Sequence, residues 1–158
     1  MTHSSPRPGG FSPITGGCQC GAVRYALHAV RVEKPHVCHC RMCQRATGGL
    51  FAALAGCARG MLEWTRGEPA FFASSNLATR GFCRACGTPL SFAYNPPEPR
   101  IYVTIGSLDD PEQAAIERQY GVESKLTWVR FCEDTPQERT AATPEAQAFF
   151  AGMTRNQA

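Results

Sequence analysis

Apolar positions recur along this chain at every second residue or in short unbroken runs, the patterning of strands more than of long amphipathic helices. GAVRYALHAV (21–30) alternates, placing Val23, Tyr25 and Leu27 on one face. VCHCRMCQRATGG (37–49) begins extended and then turns, with a short helix predicted over Arg41 to Thr47 and ended by Gly48 and Gly49. LFAALAGC (50–57) is an apolar run of strand length, although its alanines leave a helix open. LEWTRG (62–67) and AFFASS (70–75) read as two strands split by a Gly-Glu-Pro turn. TRGFC (79–83), a turn at Arg84–Thr88 and PLSFAY (89–94) give strand, knuckle and strand. A second turn spans Asn95–Pro99, and IYVTIGSL (101–108) is a β segment. Asp110 and Pro111 look like the N-cap and first residue of a helix. KLTWVRF (125–131) reads as extended, and Thr143-Pro144-Glu145-Ala146 starts a short helix running to about Ala151.

The pattern predicts a mainly β protein of short strands and many turns. A length of 158 residues suits one domain. Residues 1–15 are expected to be a flexible lead-in, and residues 133–158 a tail carrying the last helix. No apolar run is long enough to span a bilayer. The start, MTHSSPRPGGFSP, lacks the apolar core of a secretion signal, so the expected location is cytoplasmic.

Nine cysteines change this picture. The reducing cytosol disfavours structural disulfides, so the thiols point to metal or catalysis. The formal charge of +3 hints weakly at anionic partners. Seven zinc-bound thiolates and two Zn²⁺ ions would bring the loaded chain near zero, and no long Lys/Arg run supports a nucleic-acid partner.

The thiols fall into three clusters: Cys18-Gln-Cys20, Cys38-His-Cys40-Arg-Met-Cys43 and Cys83-Arg-Ala-Cys86-Gly87. In an extended segment residues i and i+2 share a face, so each Cys-x-Cys presents two sulfurs together. In Cys-x-x-Cys a tight turn does the same, and Gly87 tolerates the positive φ that closes it. Two such pairs complete a Cys₄ zinc site. Joining Cys18 and Cys20 to Cys83 and Cys86 would close a long loop through the metal. Spacing alone also permits Cys38 and Cys40 to join Cys83 and Cys86. A redox Cys-x-x-Cys normally sits at a helix N-terminus after a strand, whereas Pro89 and a β run follow Cys86. The middle cluster offers three ligands and leaves a fourth position free, the arrangement of catalytic zinc. Cys57 and Cys132 have no partner in sequence and read as small core residues, with a fourth-ligand role as the alternative. His36 shares the parity of Cys38 and Cys40 and is the reserve ligand. His39 points away from them, and His3 and His28 read as incidental.

In this order and context, GGCQCGAVRY (16–25), CHCRMCQRATGG (38–49), FCRACGTPLSF (82–92) and ESKLTWVRF (123–131) resemble the family of the glutathione-dependent formaldehyde-activating enzyme and centromere protein V, GFA/CENP-V. The resemblance covers about residues 16–132 and implies one zinc domain over that span. It implies an Mss4-like fold of short antiparallel sheets and short helices. It further implies a structural zinc on Cys18, Cys20, Cys83 and Cys86, and a second, catalytic-type zinc on Cys38, Cys40 and Cys43. The activity associated with the family's namesake is addition of glutathione to formaldehyde, giving S-hydroxymethylglutathione; the reverse is a carbon–sulfur lyase reaction.

On this reading the expected partner is a small thiol or thiol adduct, glutathione among them. The second zinc would bind the thiol or polarise a carbonyl, and three thiolate donors favour thiol binding. Gln44, Arg45 and Thr47 follow directly on the cluster and are candidates for a polar substrate. Lys125 and Trp128 are candidates for a carboxylate contact and an apolar wall. Two other functions compete: a zinc-held binding module for protein or nucleic acid, and a metal buffer or sensor.

Overall fold

The computed structural model describes residues 12–131 and 135–154. Ten strands run in chain order: β1 Ile14–Gly17, β2 Arg24–Leu27, β3 Glu33–Cys38, β4 Ala52–Ala58, β5 Leu62–Arg66, β6 Ala70–Ala73, β7 Ala78–Phe82, β8 Pro89–Tyr94, β9 Arg100–Thr104 and β10 Arg118–Tyr120. Two α-helices join them, α1 Arg41–Thr47 and α2 Pro144–Ala151. The protein is therefore mainly β, with short helices. No helix among the described residues is long and apolar enough to cross a membrane.

The strands form two sheets. The smaller has the order β1-β2-β5 and is antiparallel. The larger has the order β10-β3-β4-β9-β8-β7-β6 and is antiparallel except for β10, which runs parallel to β3. Its register carries the site. Arg80 lies opposite Phe92, and Phe92 opposite Tyr102; Ala78 lies opposite Tyr94. On the other side of β9, His36 faces Leu54, and Cys38 is paired with both Ala52 and Tyr120. Since alternate residues share a face, these positions form one surface of the large sheet.

The core gathers Ile14, Tyr25, Leu27, Cys57, Leu90 and Val103, with contributions from both sheets. The alternation at Val23, Tyr25 and Leu27 is met: all three are buried. The Tyr25 hydroxyl is buried with a partner, 2.8 Å from Ser107 Oγ, which removes the penalty of an unpaired polar group. Cys57 belongs to this core, 1% exposed, and burial pushes its thiol up to about 11. Cys132 and His3 lie outside the described residues.

Helix α1 starts and stops where the sequence predicts, with Gly48 at φ +65° as the left-handed C-cap. Helix α2 is capped by Thr143, whose hydroxyl accepts from the Ala146 N–H. Other expectations are corrected. KLTWVRF forms no strand; a 3₁₀ turn at Val122–Ser124 is followed by a turn in which the Val129 N–H meets the Leu126 carbonyl at 3.0 Å. The extended run from Ile101 stops at Thr104, and Ile105–Ser107 is a 3₁₀ turn. The Asp110–Pro111 start yields one 3₁₀ turn, Pro111–Ala114, not an α-helix. β5 and β6 do not pair with each other. Gly67, at φ +57° and close to the Ala22 carbonyl, redirects the chain from one sheet to the other.

Gly121, at φ +63°, lies directly against the Cys40 backbone: a Cβ there would sit 2.8 Å from the Cys40 nitrogen. Gly121→Ala is expected to cost about 1–2 kcal/mol for its backbone conformation alone, lowering Tm by about 2–4 °C per kcal/mol at this size. Gly21, at φ +74°, has open space around it, so Gly21→Ala carries only the backbone cost. Thermal melts should therefore rank Gly121→Ala as the less stable of the two.

Candidate metal centre

The first two cysteines follow β1. The Cys18 N–H donates to the Val23 carbonyl and the Gly21 N–H to the Cys18 carbonyl, both at 3.0 Å, so the chain doubles back over Cys18–Gly21. Between β7 and β8 a second turn forms: the Cys83 N–H donates to the Thr88 carbonyl at 2.9 Å and the Gly87 N–H to the Cys83 carbonyl at 2.8 Å. Gly87 adopts φ +75° there, as the knuckle requires. The Gln19 N–H reaches Thr88 Oγ1 at 3.2 Å and ties the two turns together.

The sulfurs of Cys18, Cys20, Cys83 and Cys86 all lie within 4.8 Å of one another. Cys18 and Cys20 are 3.5 Å apart, and Cys20 and Cys83 are 3.7 Å apart. Sulfurs around a tetrahedral zinc with Zn–S of about 2.3 Å would be about 3.8 Å apart, so the set fits the ion. The pairing that spacing left open is thus resolved in the folded chain: Cys83 and Cys86 meet Cys18 and Cys20, not Cys38 and Cys40.

The electrostatics of this set show what it lacks. The Thr88 hydroxyl and backbone hold Cys86 down at about 5. The Ala22 N–H favours a thiolate at Cys20, but its neighbours Cys18 and Cys86 outweigh it and push that thiol up to about 12. Four thiols this close do not all ionise unless a cation balances them.

The second cluster straddles the end of β3 and the start of α1. Cys40 is the N-cap, its sulfur 3.4 Å from the Cys43 N–H. The first helical turn returns Cys43 to the same place, and the sulfurs of Cys38, Cys40 and Cys43 lie within 4.8 Å of one another. Hydrogen bonds to Cys40 and Cys43, with burial, push the Cys38 thiol well above its ordinary range. Those from Cys38 and Cys40, aided by Arg80, hold Cys43 well below it. Among the described residues no fourth His, Cys, Asp or Glu joins this set. Three thiolate donors clustered beside a cavity suit zinc with one exchangeable position.

That cavity has a volume of about 370 Å³ and is lined by all three cysteines. The sheet face described above forms much of it, through His36, Arg80, Phe92, Tyr94, Tyr102 and Tyr120. Arg80 is held in place on three sides. Its Nη2 lies 3.4 Å from Cys43 Sγ, its Nε donates to Ser74 Oγ at 3.1 Å, and its guanidinium lies 4.8 Å over the Phe92 ring.

The sequence of the matched region identifies the lineage. The sequence model for the glutathione-dependent formaldehyde-activating enzyme matches residues 13–124. The chain belongs to that family. It is also similar to an uncharacterised lyase of Schizosaccharomyces pombe, 28% identical over 122 residues that cover 76% of this chain and 86% of that protein. A crystal structure of a Rhodobacter sphaeroides protein is 20% identical, covers 79% of this chain and 100% of its own, and superposes with a TM-score of 0.49. The family span includes all seven clustered cysteines and Arg80, and it ends before α2.

The other candidate residues are placed as follows. His36 lines the cavity without joining the sulfur set; its Nδ1 donates to the Lys34 carbonyl at 2.8 Å, and burial lowers its pKa. His39 is fully buried, its Nε2 3.0 Å from Gln119 Oε1. His28 pairs with Glu63 at 2.6 Å, away from both clusters. Gln44 is buried behind the cluster, where its amide donates to the carbonyls of His39 and Ser124. Thr47 bonds back to the Cys43 carbonyl at 2.9 Å, and with Arg45 it borders a separate cavity. Trp128 is 64% exposed, and neither it nor Lys125 lines the cavity at the sulfurs. Sequence reasoning missed Arg80, Phe92, Tyr94, Tyr102 and Tyr120. The alternation of Phe92 with Tyr94 was visible, but strand register, which brings them to the cysteines, was not.

Zinc content and stability should separate the two clusters. Wild type is expected to hold about two zinc ions per chain. Cys86→Ser should drop to about one and melt several degrees lower, because the ion joins chain segments far apart. Cys43→Ser should also drop to about one, with a smaller loss of Tm, since its cluster spans only β3 and α1. Elemental analysis and thermal melts check both.

Proposed function

We propose that the chain is a zinc-dependent carbon–sulfur lyase-type enzyme that joins a small thiol to an aldehyde and cleaves the adduct. One observation carries this reading: three cysteines whose set gains no fourth ligand among the described residues line a ligand-sized cavity, while the other four close on themselves. The family's link to glutathione and formaldehyde supports it, as does the lyase name of the Schizosaccharomyces pombe relative.

Cys38, Cys40 and Cys43 would hold the ion. Bound there, zinc supplies a positive centre with an exchangeable position that favours the ionised form of an incoming thiol. The chain's own residues do the rest. Arg80 places a fixed positive charge beside Cys43, which offsets part of the negative charge of three thiolates. Burial lowers the pKa of His36, and its Nδ1–H is spent on the Lys34 carbonyl, so Nε2 is the atom left to accept a proton. Phe92, Tyr94, Tyr102 and Tyr120 give the cavity beside the cysteines an aromatic wall. In the forward direction the sulfur–carbon bond forms as the carbonyl π bond opens, and the thiol proton ends on the former carbonyl oxygen. Cleavage is the reverse. A binding module or metal buffer needs no such cavity at its open cluster.

The test is exchange of ¹³C-formaldehyde between its hydrate and the hydroxymethyl adduct of a thiol, followed by NMR. Zinc-loaded wild type should accelerate exchange by at least about tenfold over buffer, and Cys43→Ser should abolish the acceleration. Equal exchange in both would overturn the reading. His36→Ala, with the metal retained, is expected to remove most of that acceleration, as the loss of a general base does.

A further inference from the structure

The cavity at Cys38, Cys40 and Cys43 is completed by a segment outside the family's matched span. Thr140, Phe150 and Met153 line it, whereas the match ends at residue 124. This segment is fixed at both ends. Thr140 Oγ1 donates to Glu123 at 2.6 Å. Past α2, Asn76 forms three bonds: its Nδ2 donates to the Gly152 carbonyl at 2.7 Å, its Oδ1 accepts from the Thr154 N–H at 2.7 Å, and its N–H donates to the Thr154 carbonyl at 3.2 Å. Between these ties the Phe149 and Phe150 rings pack against Tyr94, at 5.0 and 6.2 Å.

The result is a pocket whose far wall is apolar. Phe92, Tyr94 and Tyr102 come from the sheet, and Phe150 and Met153 from the added segment. Three of its four charged groups, Lys34, Arg41 and Glu123, are solvent-exposed. Arg41 bonds the Gln44 side chain, Arg80 is held among Ser74, Cys43 and Phe92, and Glu123 accepts from Thr140. Glutathione carries two carboxylates and an ammonium, and burying such groups against the apolar wall is costly. A thiol on an aromatic or branched apolar skeleton instead matches the wall, and a single ring fits within about 370 Å³.

We propose that this cavity selects thiols and thiol adducts with an apolar, aromatic skeleton over glutathione, and that Phe150 and Met153 set this preference. The proposal rests on the thiol-handling reading above and specifies its substrate class.

Isothermal titration calorimetry of the zinc-loaded full chain tests it with three probes: phenylmethanethiol, 2-mercaptoethanol and glutathione. Phenylmethanethiol is expected to bind at least about tenfold more tightly than 2-mercaptoethanol, and more tightly than glutathione. Phe150→Ala and Met153→Ala should each remove about fivefold or more of that advantage while leaving 2-mercaptoethanol within about twofold. Phe149→Ala, on the same helix but not lining the cavity, should leave the ratio within about twofold. Each variant is scored by a ratio of two thiols, so a partly unfolded sample cannot imitate the effect. Glutathione binding as tightly as phenylmethanethiol, or Phe150→Ala weakening all three alike, would overturn the substrate class and leave the thiol reading standing. Absence of binding by all three would overturn both.

Discussion

Negative sulfur cannot be crowded without a cation, and the fold is arranged around that constraint. Cys18, Cys20, Cys83 and Cys86 sit within 4.8 Å of one another, as do Cys38, Cys40 and Cys43. Left to themselves, the thiols of each set divide into members that ionise readily and members that resist. Cys86 is held at about 5 while Cys20 is driven to about 12, and Cys43 falls where Cys38 rises. A divalent ion removes that conflict, because every sulfur can then be a thiolate facing the same positive charge.

The two sets meet the constraint in different surroundings, and the difference separates structure from chemistry. The first joins the turn after β1 to the turn between β7 and β8, so an ion held there would substitute for core in a chain whose hydrophobic cluster is modest. Its four donors leave no vacancy. The second is built from the end of one strand and the first turn of one helix, and it faces the aromatic surface of the large sheet. Arg80, anchored by Ser74 and Phe92, reaches that cluster across three intervening strands and adds a positive charge beside Cys43.

What the sequence made legible was local. The Cys-x-x-Cys turn with Gly87, the Gly48 stop of α1 and the Thr143 cap of α2 depend on neighbours a few residues apart, and each is found in the fold, whereas the sulfurs of Cys18 and Cys20 meet through a turn and not through the parity of an extended strand. What it hid depended on register and tertiary override. β10 is three residues long with a buried Gln119 at its centre, which no hydrophobic pattern announces. KLTWVRF has strand-like composition, yet the 3₁₀ turn before it and the turn at Leu126–Val129 leave it unpaired with either sheet. The cavity wall joins residues from β7, β8, β9, β10 and α2, so its aromatic character appears only once the strands are aligned.

The central claim is that four sulfurs close one zinc site and three leave the other open to a thiol. X-ray absorption at the zinc edge tests it directly. The zinc-loaded protein should show roughly 3.5 sulfurs per zinc at about 2.3 Å, the average of four and three, with a light atom completing the shell. Added phenylmethanethiol should raise the average to about 4. A sulfur count that is unchanged by the thiol, or a shell dominated by nitrogen and oxygen, would contradict the account.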